Sequence, residues 1–140
     1  MNMNYSLLIT VWLLLYRLVL GGTFMLHGYP KLKDRAKQAG QWMNNMGIPA
    51  WTAVLATILE FFGGTTLIFG LLTQIVATFF AIFMVSNIIM KRMKMKSPYI
   101  STEKPSYEID VLYLLLSVTL VLLGPGAISV DHLIGFFGVI

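Results

Sequence analysis

Apolar residues fill four long blocks of the chain, at 5–27, 49–70, 72–90 and 107–124, and two polar, basic stretches separate them. Each block meets the length of about 20 apolar residues, range roughly 17–25, that a membrane-spanning helix needs. The pattern therefore predicts an all-α integral membrane protein, an up-down bundle of four transmembrane helices in one domain over 1–140, with a short outer tail at 125–140. Within the first block Arg17, Gly21, Phe24, Gly28 and Lys31 recur at helical spacing and share one face. Two glycines on that face let a second backbone approach, as small residues do in membrane helix packing.

The stretch at 30–48 is too polar to span, yet Leu32, Ala36, Ala39, Met43 and Met46 also recur at helical spacing. This predicts an amphipathic helix on the cytoplasmic surface, with Trp42 at the headgroup layer. Pro49 suits the first turn of the second span. Gly70 closes that span, and the next begins at once, forming an antiparallel hairpin. Asn87 in the third span reads as an interhelical hydrogen bonder ahead of the alternative, a ligand contact. Ser106 reads as the N-cap of the fourth, with Glu108 and Asp110 at the favourable end of its dipole. After Gly124-Pro125-Gly126, Ser129 or Asp131 can cap a short last helix folded against the outer rim.

Composition agrees: 57% of residues are hydrophobic and 11% charged, where soluble domains carry about 25% charge. The N-terminus lacks the basic start and small-residue cleavage site of a signal peptide, so it is expected to remain as the first span. Of the ten basic residues, Arg17 lies inside a span and all the others fall in the loops after the first and third spans. The positive-inside rule then puts both loops in the cytoplasm and both termini outside, in a cell or inner membrane. The basic runs are read as orientation signals beside anionic lipid, with no nucleic-acid partner.

Two charges lie near mid-span, Arg17 and Glu60. Counting from expected helix ends puts both about 15–16 Å deep, which predicts that they pair. A buried Arg–Glu pair can merely fix helix register; the alternative is a ligand or proton site within the membrane. Gly63 and Gly64 place a small-residue patch beside Glu60. His27 and Lys31, with Glu108, lie toward the cytoplasmic end. Phe24, Phe61, Phe62 and methionines complete a cleft suited to a flat apolar molecule with two carbonyls, such as a quinone. Arg17 and Glu60 are then the candidate catalytic acid–base groups, and His27, Lys31, Glu108 and Phe24 the candidate ligand contacts.

Other chemistry has little support. There is no cysteine, so thiol steps need a partner or cofactor. His27 and His132 fall at opposite ends of the expected bundle and cannot ligate one haem. No metal or nucleotide motif occurs.

Arg17 with Leu-Gly in its helix, His27-Gly28-x-x-Lys31, Gly47-Ile48-Pro49, Glu60-x-x-Gly63-Gly64, Gly70-Leu71-x-Thr73 and Gly124-Pro125-Gly126-x-x-Ser129-x-Asp131 together resemble the DoxX family over nearly the whole chain. The resemblance implies a small four-helix relative of the membrane subunit of thiosulfate:quinone oxidoreductase. It carries site roles to Arg17, His27, Lys31, Glu60, Glu108 and Asp131, and a structural role to Gly21, Gly28, Gly63, Gly64 and Asp131. Ala127-Ile128 stands where the family often has a basic residue. The expected function is a subunit passing electrons from sulfur or thiol redox to membrane quinone, alone or with a soluble oxidoreductase, or as a homodimer. The alternative is a non-enzymatic membrane adaptor or assembly factor that recruits a soluble partner.

Overall fold

The computed structural model describes residues 3–136, which are helical wherever they are regular. Helix α1, Met3–Pro30, is 28 residues long. It continues without a break through a π-turn, Lys31–Arg35, into α2, Ala36–Asn45. Pro30 accounts for the irregular turn. Its ring lacks an N–H and crowds the carbonyl one turn back, and a widened turn relieves that conflict without ending the helix.

The second apolar block forms one rod in three pieces: α3, Trp51–Ile58, a π-turn over Leu59–Gly63, and α4, Gly64–Phe69. Gly70 ends it in the left-handed conformation, φ 69°. The Gly70 N–H donates to the Leu67 carbonyl and the Leu71 N–H to that of Thr66, the paired bonds of a Schellman cap. After Leu71 and Leu72 the chain turns back as α5, Thr73–Met93. Helix α6, Glu108–Leu123, and a single short turn, α7, Val130–Leu133, complete the described chain.

Three helices among the described residues are long and apolar enough to cross a membrane: Tyr5–Lys33, Trp51–Phe69 and Thr73–Met93. Helix α6 has 16 residues, about 24 Å of rise, and starts one residue after the expected boundary. Tyr107 occupies its N-cap position and no side chain caps it; Ser106 instead gives its carbonyl to Lys91 Nζ at 3.1 Å.

Helix α1 packs against α4 and its π-turn, α5 against α6, and α1 touches α6 as well. Leu13, Leu20 and Phe24 from α1 meet Leu67, Ala77, Phe80, Met84 and Leu120 in the core. Close approach needs glycine at one crossing above all. A Cβ on Gly21 would sit 2.6 Å from the Gly64 carbonyl oxygen, and one on Gly64 the same distance from that of Gly21. The outer faces remain apolar: Leu7, Trp12, Val19, Leu26, Phe79 and Leu122 are all more than half exposed. Apolar exposure on that scale marks a lipid-facing surface.

Candidate functional site

Glu60 does not meet Arg17. Its two carboxylate oxygens lie 2.8 and 2.6 Å from Lys31 Nζ, with the Glu60 side chain 7% and the Lys31 side chain 33% exposed. Both partners sit in π-turns. A π-turn adds a residue to the helical repeat and rotates the helix beyond it. The helix contacts set the depths: Gly28 packs on the Phe61 backbone, Gly21 on Gly64, and Gly70 on Arg17. Glu60 is thus level with the Gly28 turn, and Arg17 lies 11 residues higher on α1, about 16 Å away along the axis. Part of the discrepancy comes from the helix ends, because α1 runs past His27 to Pro30 and the rod of α3 starts at Trp51 rather than Pro49.

Arg17 belongs to the other end of the bundle, where the tail folds back. It is 1% exposed, and its Nη2 donates to the carbonyl of Ile128. Nε and Nη1 have no hydrogen-bond partner among the described residues. Gly70 is required beneath it, because a Cβ there would overlap Nη1. Asp131, fully buried, accepts from the N–H groups of Leu72 at 2.7 Å and Thr73 at 2.8 Å. It satisfies the start of α5 where Leu72 turns left-handed, φ 52°. The Asp131 N–H in turn donates to the Gly70 carbonyl. Ser129 caps α7, accepting from the His132 N–H at 3.1 Å. The tail is therefore a clasp over the α4–α5 turn, with Asp131 serving α5 rather than α7.

The remaining candidates separate. Phe24 lies in the core, 3% exposed and stacked on Phe80 at 4.0 Å, away from the Lys31–Glu60 ion pair. Glu108 is partly exposed and its side chain makes no hydrogen bond or ion pair, to His27, Lys31 or any other described residue. His27 is exposed and shares a pocket of about 380 Å³ with Lys31, Arg35, Gln38 and Trp42. A second, partly buried ion pair escaped sequence reasoning: Lys91 Nζ meets Asp110 Oδ2 at 2.6 Å. Ser106 and Asp110 lie one helical turn apart, and both answer to the same lysine.

A further space lies between the α2–α3 corner and α5. It is a cavity of about 580 Å³ walled by Leu55, Leu59, Phe79 and Phe83, with Met43 and Met90 toward one end. Its polar groups are few: Thr52, Ser86 and Asn87. The hydroxyls of Thr52 and Ser86 are bonded to nearby backbone carbonyls, those of Pro49 and Ile82. The Asn87 amide has no hydrogen-bond partner among the described residues. The expectation that it bonds a neighbouring helix is corrected; it faces the cavity.

A multi-span helical membrane protein with partly buried ion pairs and a mostly apolar cavity is the class these features define. The chain belongs to the DoxX family, whose model matches residues 12–92. It is 32% identical over 118 residues to a Bacillus subtilis (strain 168) protein named "Putative oxidoreductase CatD", covering 84% of this chain and 83% of that one. It is 31% identical over 125 residues to the Escherichia coli (strain K12) "Inner membrane protein YqjF", covering 89% and 92%. No solved structure matches it.

Proposed function

We propose that this chain is the membrane subunit of a quinone-linked oxidoreductase, delivering electrons from a sulfur or thiol donor to membrane quinone. The observation that carries the reading is the Asn87 amide, without a hydrogen-bond partner among the described residues, in a mostly apolar cavity of about 580 Å³ whose other polar groups, the Thr52 and Ser86 hydroxyls, are already bonded. The volume falls within the range of about 300–1,000 Å³ usual for small-molecule sites, and a few polar groups in apolar walls fix orientation there. Phe79 and Phe83 offer flat faces to a ring, and the Asn87 amide offers a donor to a ring carbonyl. A bound quinone supplies a two-electron, two-proton acceptor. The relative named as an oxidoreductase favours the same chemistry.

The proton side falls to the Lys31–Glu60 pair. Leu59 lines the cavity and Glu60 is the next residue, while Lys31 also lines the pocket at the bundle end. Glu60 itself faces Lys31 rather than the cavity, one helical position from its wall, and its carboxylate is the candidate general base. Arg17 holds the clasp at the far end and is assigned no contact with quinone. With no cysteine in the chain, the donor's thiol or sulfur chemistry belongs to a soluble oxidoreductase docked at a membrane face.

In this reading α6 completes a fourth crossing, with both termini outside and the basic loops cytoplasmic. Lys94 Nζ bonds the Met46 carbonyl at 2.8 Å, so the two basic stretches lie at one end of the bundle, as a single cytoplasmic face requires. The test is spectroscopic: purified protein with its co-purifying partner, supplied with a reduced thiol or sulfur donor, should reduce an added short-chain quinone, and Asn87→Leu should weaken quinone binding about tenfold. A protein that co-purifies firmly but gives no quinone-dependent signal would establish the adaptor reading instead.

A further inference from the structure

The pocket at the end of α1 is a different kind of space from the quinone cavity. Its lining is His27, Lys31 and Arg35 with Gln38, closed by Leu26, Pro30, Ala39 and the Trp42 indole. None of these lining residues is acidic. Glu60 lies behind Lys31 and takes both of its short bonds, so that cation is already shared. Arg35, His27 and Gln38 have no side-chain hydrogen bond or ion pair among the described residues. All three line a concave space of about 380 Å³.

The surroundings narrow the occupant. Leu26 is 70% exposed and Trp42 44%; the first lies on a helix of spanning length and the second on the amphipathic helix beside it. An indole next to an exposed aliphatic face is what a headgroup layer selects. A planar guanidinium with an amide and an imidazole matches a phosphate, which takes several donors at once. We propose that this pocket binds the phosphodiester of one anionic phospholipid, with Arg35 as its principal donor, His27 and Gln38 as auxiliary donors, and the acyl chains running down past Leu26. Basic loops attract an anionic surface diffusely. A pocket of this shape goes further, because it holds one lipid at one place. The proposal is independent of whether the larger cavity takes a quinone.

Trp42 supplies the readout. With Trp12→Phe and Trp51→Phe, it is the last of the three tryptophans. The full chain is placed in phosphatidylcholine nanodiscs and phosphatidylglycerol is titrated in. A saturable change in Trp42 emission is expected, absent when phosphatidylcholine is added instead. Arg35→Gln should shift the midpoint about fivefold and His27→Gln by less, the scale of losing one basic contact at an anionic surface. Lys37→Gln, on the neighbouring face that lines a different hollow with Gln41 and Asn44, should leave the midpoint unchanged. An unsaturable response, or an equal loss in Lys37→Gln, would mean diffuse attraction and overturn the proposal. So would a saturable response to inorganic phosphate in pure phosphatidylcholine, which would make the site one for a free oxyanion. Arg35 is exposed, so its variant is expected to fold, and helical circular dichroism checks that.

Discussion

Breaking the Lys31–Glu60 pair from its two sides should cost different amounts, because the partners are buried unequally. Glu60 has a 7% exposed side chain and Lys31 a 33% exposed one. Lys31→Met leaves a carboxylate in an apolar bundle without either of its short bonds. Stranding one member of a buried pair typically costs about 3–5 kcal/mol, less whatever is recovered when the acid takes up a proton. Glu60→Gln leaves a lysine that can swing into the pocket beside His27 and Arg35, its stem staying on apolar surface; about 1–2 kcal/mol is expected. The double variant Lys31→Met, Glu60→Gln removes the uncompensated charge and should be more stable than Lys31→Met alone. Reversible unfolding in mixed micelles, followed by helical circular dichroism, measures all three. If Glu60→Gln proves as damaging as Lys31→Met, or the two losses simply add in the double variant, the pair is not the buried, mutually dependent contact described here.

Further substitutions test the clasp and the helix crossing. Gly70→Ala forces a side chain into a left-handed residue and into the Arg17 guanidinium, so thermal unfolding should register a loss above about 2 kcal/mol. Asp131→Ala removes both acceptors at the start of α5, at about 2–4 kcal/mol for two bonds to a charged group, measured in the same unfolding assay. Arg17→Met keeps the packing volume but releases the Ile128 carbonyl; limited proteolysis should cut faster within residues 124–134 while global stability changes little. Gly21→Leu collides with backbone rather than a movable side chain, and should push α1 off α4 and abolish a monodisperse detergent-purified species on size exclusion.

Much of this architecture can be read from apolar runs alone, since a span must be long, apolar and internally hydrogen-bonded. The hairpin at Gly70, the amphipathic helix around Trp42 and the returning tail arise from local signals of glycine, spacing and capping residues. Partner choice does not. Pairing Arg17 with Glu60 depended on counting from helix ends, and a helix that continues through Pro30 in a π-turn shifts that count by turns. Pro30 signals a break or a distortion without saying which, so the π-turn that carries Lys31 to Glu60 could not be told from a helix end. The Lys91–Asp110 bond was hidden for a related reason: helix-dipole placement already explained Asp110, and the fold of the intervening loop decides which lysine reaches it. Asn87 was read as a packing residue because an asparagine between helices usually bonds its neighbour; that α2 and α3 leave a hollow opposite it is a property of the corner, absent from any single helix.

Whether a quinone sits between the α2–α3 corner and α5 is decided most directly by photolabelling. Purified protein in lipid nanodiscs is irradiated with an azido-quinone and the labelled peptides are mapped by mass spectrometry. A quinone held there should place label within residues 52–59 and 79–90, competed by unmodified quinone and sharply reduced in Asn87→Leu. Label concentrated around Arg17 and the 124–134 tail, or spread evenly over the lipid-facing surface and indifferent to Asn87, would contradict it.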